Sequence, residues 1–253
     1  MKINEVCAVI TGGASGLGYA SAEFLVKAGA RVVLLDVQDD KGAAAAKALN
    51  AHYFRTDVTD EAGVLASIAA AAAAMGGLNV AINCAGILGA GRVLGKNGPM
   101  PLSSFETAVR INLVGSFNVA KAAAHVMQNA VPGADGERGV IINTASIAAF
   151  EGQIGQAAYA ASKAGVVGMT LPMARELGRF GIRVMTIAPG IFWTPMVDGM
   201  TPEVQQSLTA AVPFPSRLGQ VDEFANTVGF ILQNRYMNGT VIRLDGAVRL
   251  ASK

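Results

Sequence analysis

The chain of 253 residues is poor in the side chains that build metal centres and covalent frameworks, with two cysteines, two histidines and one tryptophan. Cys7 and Cys84 fall in or beside apolar, strand-like runs. That placement argues against a disulfide framework and suits a reducing compartment, the cytoplasm or, for a eukaryotic source, the mitochondrial matrix. His52 and His125 stand far apart without His or Cys companions at ligand spacing, so no metal site is expected. Charge is also scarce. Charged residues make up 15% of the chain, the formal net charge is +2, and no basic run is clustered enough to suggest nucleic acid or an anionic membrane as a partner. Although 52% of the residues are hydrophobic, no apolar run reaches the ~18 residues that a membrane-crossing helix needs. The first residues run directly into a strand and carry no signal-peptide pattern.

Strand-like runs are present in regular alternation with helical patterns. They fall at residues 6–10, 31–36, 53–56, 78–83, 139–143, 183–187 and 241–244. Alternation of this kind predicts a parallel α/β sheet covered by helices on both faces, and the length suits one domain, residues 1–253. The first helix shows apolar residues on one face at Ala20, Phe24 and Ala28 and stops at Gly29. The alanine block 66–74 reads as a capped helix of high propensity, and one long helix is expected over 104–126. Residues 89–103, 132–138 and 191–217 read as irregular. The last of these, rich in proline, methionine and aromatics, has the composition of a substrate-covering segment, and equally of a packing excursion.

Between the first strand and the first helix lies Gly12-x-x-x-Gly16-x-Gly18, and the second strand ends in Asp36. Glycine at these places lets the backbone turn tightly, approach a pyrophosphate and pack a helix whose N-terminal amides face the phosphates. The spacing departs from the usual Gly-x-Gly-x-x-Gly, but strand, glycine turn, helix, strand and acid together predict a Rossmann-type, doubly wound dinucleotide fold. Asp36 can accept hydrogen bonds from both ribose hydroxyls and repel a 2′-phosphate, which favours NAD over NADP.

Further on, Tyr159 and Lys163 lie four residues apart on a helical run, and Asn143-Thr144-Ala145-Ser146 closes a strand on the edge where such folds collect ligands. Together with Asn83-Cys84-Ala85-Gly86, Asn112 and Pro189-Gly190, these motifs resemble the short-chain dehydrogenase/reductase family over almost the whole chain. More narrowly, residues 10–18, 139–155, 183–189, 212–219 and 241–246 are similar to the 3-hydroxyacyl-CoA dehydrogenase branch of that family. Departures gather at 88–101 and around 193–200.

The resemblance implies an NAD-dependent oxidoreductase that interconverts a secondary alcohol and a ketone, 3-hydroxyacyl-CoA to 3-ketoacyl-CoA, with a place in fatty acid metabolism. It leaves open another hydrophobic alcohol or a hydroxysteroid as substrate, and a scaffold role in an RNA-processing assembly. Tyr159 would be the acid/base. Bringing a phenol from a pKa near 10 to about 7 takes roughly 4 kcal/mol, and Lys163 is the implied source. Ser146, with Tyr159, would hold the substrate oxygen. Asn112 would support a proton relay to Lys163, although by its position alone it reads as a helix-interior amide bonding a neighbouring carbonyl. Gly12, Ser15, Gly16, Leu17, Gly18, Asp36, Asp57, Val58, Cys84, Tyr159, Lys163, Phe192 and Thr194 would contact the cofactor. For two of these the residues suggest a simpler part, Asp57 as the cap of the next helix and Cys84 as a buried small residue. A homotetramer is implied, with the last strand and the long helices buried between subunits. Arg92 and Lys96 could meet CoA phosphates, or merely solvate a loop, and Phe192, Trp193, Met196 and Met200 could cover an acyl chain.

Overall fold

Seven strands form one parallel sheet: β1 (Cys7–Thr11), β2 (Arg31–Asp36), β3 (His52–Arg55), β4 (Val80–Asn83), β7 (Gly139–Thr144), β8 (Ile182–Pro189) and β9 (Val241–Leu244). A computed structural model describes residues 1–96, 98–194, 197 and 201–252. The spatial order is β3-β2-β1-β4-β7-β8-β9, so the chain starts in the middle, winds to one edge, returns, and winds to the other. The crevice at the carboxyl ends of β1 and β4, where the winding reverses, is where such sheets take ligands. The remaining two strands, β5 (Leu94–Gly95) and β6 (Gly98–Pro99), pair as a separate antiparallel hairpin.

Eight helices complete the fold among the described residues: α1 (Gly16–Lys27), α2 (Asp39–Leu49), α3 (Glu61–Met75), α4 (Leu102–Val109), α5 (Gly115–Met127), α6 (Ala157–Leu177), α7 (Pro202–Ala210) and α8 (Val221–Gln233). Side chains leave a strand on alternate faces, and both faces of this sheet are apolar. Ile10, Leu34, Ile82 and Ile142 bury against Leu25, Phe224 and Val228 on one face. Val9, Val33, Ala81 and Ile141 bury against Ile68, Val119 and Met127 on the other. The alanine block forms the expected helix, α3, whose buried stripe is Val64, Ile68, Ala71 and Met75 and whose end is Gly76 in the left-handed conformation.

Several boundaries differ from the sequence expectation, for tertiary reasons. β1 starts one residue later and includes Thr11, because its ladder with β4 runs on to Asn83. β7 and β8 are longer than expected, extended by their mutual pairing up to Thr144 and Ile187 and by β8 pairing with β9 up to Pro189. The single helix expected over 104–126 begins at Leu102 and is interrupted by a π turn at Arg110–Val114, centred on Asn112. Asp57 is not the cap of α3, since the cap position is Asp60. The Asp57 carboxylate instead accepts from the Thr59 amide and hydroxyl in a local turn. Two stretches read as irregular hold regular structure, the β5–β6 hairpin and the helix α7. Of the residues expected to cover an acyl chain, Met196 and Met200 lie outside the described residues.

Candidate active site

The glycine turn after β1 is shaped by Gly12 and Gly16, both at positive φ. Gly18 has a stricter requirement. A Cβ there would sit 2.3 Å from the Gly12 carbonyl oxygen, so only glycine lets α1 start against the turn. Ser15 occupies the N-cap of α1 with no side-chain capping bond, which leaves its hydroxyl, like the first amides of the helix, available to a ligand. Above Gly16 there is space, the nearest atom to a Cβ built there being Thr194 Cγ2 at 3.9 Å. Asp36 is buried, and its carboxylate accepts from the Ala14 amide at 3.2 Å and the Gln38 amide at 3.1 Å. An acid pinned beside a glycine turn with open space over a helix N-terminus fits a dinucleotide that presents a ribose diol and a pyrophosphate.

A cavity of about 390 Å³ continues from this turn along the carboxyl ends of β4, β7 and β8. Leu17, Cys84, Ser146, Tyr159, Lys163, Phe192 and Thr194, seven of the residues singled out in the sequence, line it. A larger, shallow depression of about 1130 Å³ lies among Ile3, Phe230 and Arg235, at the opposite ends of the strands and away from these groups.

Burial controls the electrostatics of the cavity. Lys163 reaches it from α6, donates to the Thr144 carbonyl at 2.7 Å and lies 5.9 Å from the centre of the Tyr159 ring. Its pKa is pushed down to about 8, because burial strips water from around the ammonium and Cys84 opposes this only in part. Burial raises the Tyr159 phenol above its ordinary value, while the hydrogen bond with Ser146 acts in the other direction. The lysine field expected to lower the phenol is therefore not the dominant influence in the protein by itself. Cys84 is pushed up to about 11 by burial, with its sulfur 3.5 Å from Thr144 Oγ1. A thiol held so far above neutrality is a packing residue and a poor nucleophile.

Asn112 has both halves of its amide occupied. Oδ1 accepts from the Ile87 amide, and Nδ2 donates to the Ile87 carbonyl and to Ser162 Oγ. Ser162 in turn donates to the Tyr159 carbonyl. Asn112 thus ties the loop after β4 to the Tyr159 turn of α6, and the carbonyl it bonds is that of Ile87. Val58 is buried beneath α5, its carbonyl held by Asn118, and does not reach the cavity. Phe192 packs edge-on against Phe224 with ring centres 6.4 Å apart, which fixes the start of the segment leading to Trp193 and Thr194.

Among the cavity residues not singled out in the sequence are Gln153, Gln156, Leu208 and Leu250. Gln156 stands at the N-cap of α6, three residues before Tyr159, and could have been suspected from that position. Leu250 lies just beyond the 241–246 stretch, and no local pattern marks it.

The fold and this constellation define an oxidoreductase of the dinucleotide-binding, doubly wound class. The family model for short chain dehydrogenases matches residues 6–205, and the chain belongs to that family. It is 51% identical to human 3-hydroxyacyl-CoA dehydrogenase type-2, over 98% of this chain and 97% of the relative. It is 48% identical to the protein of that name from Drosophila melanogaster, over 98% and 99%. Among solved structures, 3-hydroxyacyl-CoA dehydrogenase type-2 from Mycobacterium avium superposes with a TM-score of 0.94 at 45% identity, over 97% of this chain and 96% of that one. A 7α-hydroxysteroid dehydrogenase complexed with NADH and 7-oxo glycochenodeoxycholic acid superposes with a TM-score of 0.90 at 28% identity, over 100% and 97%.

Proposed function

We propose that this chain is an NAD-dependent dehydrogenase that oxidises the secondary alcohol of 3-hydroxyacyl-CoA thioesters to the ketone, and runs in reverse as a reductase. The observation that carries this reading is the convergence of Ser146, Tyr159 and Lys163 in one cavity that reaches Leu17 at the glycine turn, the turn that Asp36 braces through the Ala14 amide. The relatives' names support the choice of substrate. When bound, NAD supplies the hydride acceptor and a positive ring. Tyr159 takes the alcohol proton in oxidation and returns it in reduction. Ser146 donates to the substrate oxygen, and Lys163 favours the phenolate and bonds the nicotinamide ribose. Asn112 supports the proton relay behind Lys163. Gly12, Ser15, Gly16, Leu17 and Gly18 hold the pyrophosphate, Asp57 and Val58 border the adenine, and Cys84, Phe192 and Thr194 flank the nicotinamide. A panel of 3-hydroxyacyl-CoA esters, simple secondary alcohols and hydroxysteroids, read as kcat/KM for NADH production, tests the assignment. Absence of turnover with every CoA ester would falsify the substrate.

Asp36 sets the cofactor. Its carboxylate is oriented by two backbone amides, so it meets a ribose diol without reorganisation and a 2′-phosphate only at a cost in repulsion. NAD should exceed NADP in kcat/KM by at least about a hundredfold, and Asp36→Ala should narrow that gap by about tenfold or more. Comparable values for the two cofactors in the wild type count against the role.

A groove of about 410 Å³ runs beside the cavity, lined by Arg92, Val93 and Leu94, and shares Gln153 and Gln156 with it. This supports a CoA path that leaves the cavity past the hairpin, with Arg92 and Lys96 meeting its phosphates and residues 191–217 covering the acyl arm. Replacing both cations with alanine should raise KM about thirtyfold for a CoA thioester and leave a CoA-free alcohol unaffected, since each charge-assisted contact contributes about 1 kcal/mol. Equal effects on both substrates would remove the two residues from CoA binding.

The active form is a homotetramer in this reading. β9 forms an edge of the sheet with all four residues half-buried, and Val114, Phe117, Leu171 and Phe230 leave large apolar side chains in the open. Sedimentation at micromolar concentration should give four chains, and a monomer there refutes the assembly. Two free cysteines support a reducing compartment, the cytoplasm or the mitochondrial matrix. No helix among the described residues is long and apolar enough to cross a membrane.

A further inference from the structure

The chain after β9 has no catalytic group, yet it folds back over the cavity and is fastened at three levels. Val248 is fully buried in a cluster with Ile147 and Val212, and Leu250 packs on that cluster. Ile147 directly follows Ser146, so the cluster abuts the Ser146 side of the cavity. Next, the backbone is held. The Ile154 amide donates to the Ser252 carbonyl at 3.0 Å, and Gln153 Nε2 donates to the Ala251 carbonyl at 3.2 Å. Finally, Arg243 grips Glu151 with two bonds of 2.7 and 2.9 Å, and Arg249 bonds Asp245, which Arg243 also holds. A surface tail with no part in the site would not need an arginine, Arg249, paired with Asp245, an apolar anchor and two backbone acceptors. The side chain that this fastening presents to the cavity is Leu250.

We propose that Leu250 is a specificity-determining residue: the tail forms a wall of the substrate cavity, and Leu250 limits the size of the apolar arm on the alcohol carbon. The inference rests on the dehydrogenase reading above but adds a residue and a segment to it. Because the wall touches the substrate side, its alteration shifts selection among alcohols and leaves cofactor binding alone. Gln153, bonded through its side chain to the tail and through its amide to Gln156 Oε1, connects the wall to the residue that opens α6. The tail therefore also steadies the loop from which the Tyr159 helix starts.

The test uses the full-length enzyme with NAD and a series of secondary alcohols of one head group and increasing apolar arm, in wild type, Leu250→Ala and Leu250→Trp. Alanine should raise the kcat/KM ratio of the bulkiest to the smallest substrate by about tenfold, and tryptophan should lower it by as much. KM for NAD should stay within about twofold in both. A second variant lacking residues 251–253 keeps Leu250 but removes the two carbonyl acceptors; its KM for every alcohol should rise, again with NAD unaffected. A bulk-to-small ratio unchanged in Leu250→Ala overturns the proposal even if the tryptophan variant fails to fold. Wild-type turnover of the series with an unmoved ratio refutes the wall alone, whereas no turnover in wild type overturns the dehydrogenase reading as well.

Discussion

Tyr159→Phe lowers kcat by at least about a hundredfold and leaves the affinity for NAD within about twofold. The substitution keeps the ring and its packing and removes one oxygen, the phenol hydrogen-bonded with Ser146 in the cavity. Burial holds the phenol neutral at assay pH in the free enzyme, so oxidation, which needs a proton acceptor, gains with rising pH, while reduction, which needs a donor, does not. Profiles of kcat/KM against pH should show this rising limb for oxidation in the wild type and lose it in the phenylalanine variant. A variant that keeps near-normal kcat moves the chemistry to another group.

Lys163→Met abolishes turnover to a similar extent, weakens NAD, and makes the folded protein more stable at neutral pH. The sign follows from burial. Moving the ammonium from its ordinary pKa of 10.5 to about 8 means that the unfolded chain binds more protons than the native one between those values, so native stability rises with pH across that window. At pH 7, below both values, the native state carries a cost of about 3 kcal/mol relative to a neutral group, an order-of-magnitude figure from the shift. Methionine removes that cost and forfeits the charged donor's bond to the Thr144 carbonyl, about 2 kcal/mol, so the net gain is about 1 kcal/mol. The urea midpoint should therefore increase in the variant at pH 7, and its rise between pH 8 and 10.5 should be smaller than in the wild type. A destabilised variant with unchanged cofactor affinity would assign Lys163 to packing.

Tyr159 and Lys163 share a helix face, and Gly12, Gly16, Gly18 and Asp36 sit in one strand-turn-helix-strand unit, so short-range periodicity and backbone geometry reveal them. The sheet was legible for the same reason, since strands apolar on both faces stand out between amphipathic helices. What remained hidden depends on partners far along the chain. The π turn at 110–114 coincides with an amide that is clamped to Ile87 and Ser162, and neither partner is visible in the helix pattern. The role of Asp57 as a helix cap failed by three residues, because the turn it closes on Thr59 competes with capping and leaves that position to Asp60. Leu250 and Gln153 enter the cavity only because the two ends of a long loop closure meet there.

The β5–β6 hairpin offers a route to new catalysts. Its strands pair with one another and stand outside the main sheet, and the Gly91 amide, bonded to the Gly155 carbonyl at 2.7 Å, anchors its base beside the cavity. No strand of the seven-stranded ladder loses a partner if residues 92–100 are exchanged. On the CoA path proposed above, that makes the hairpin a cassette: segments of other length and charge transplanted there would select other carrier groups, while the seven-stranded sheet and the cavity on its strand ends are inherited intact.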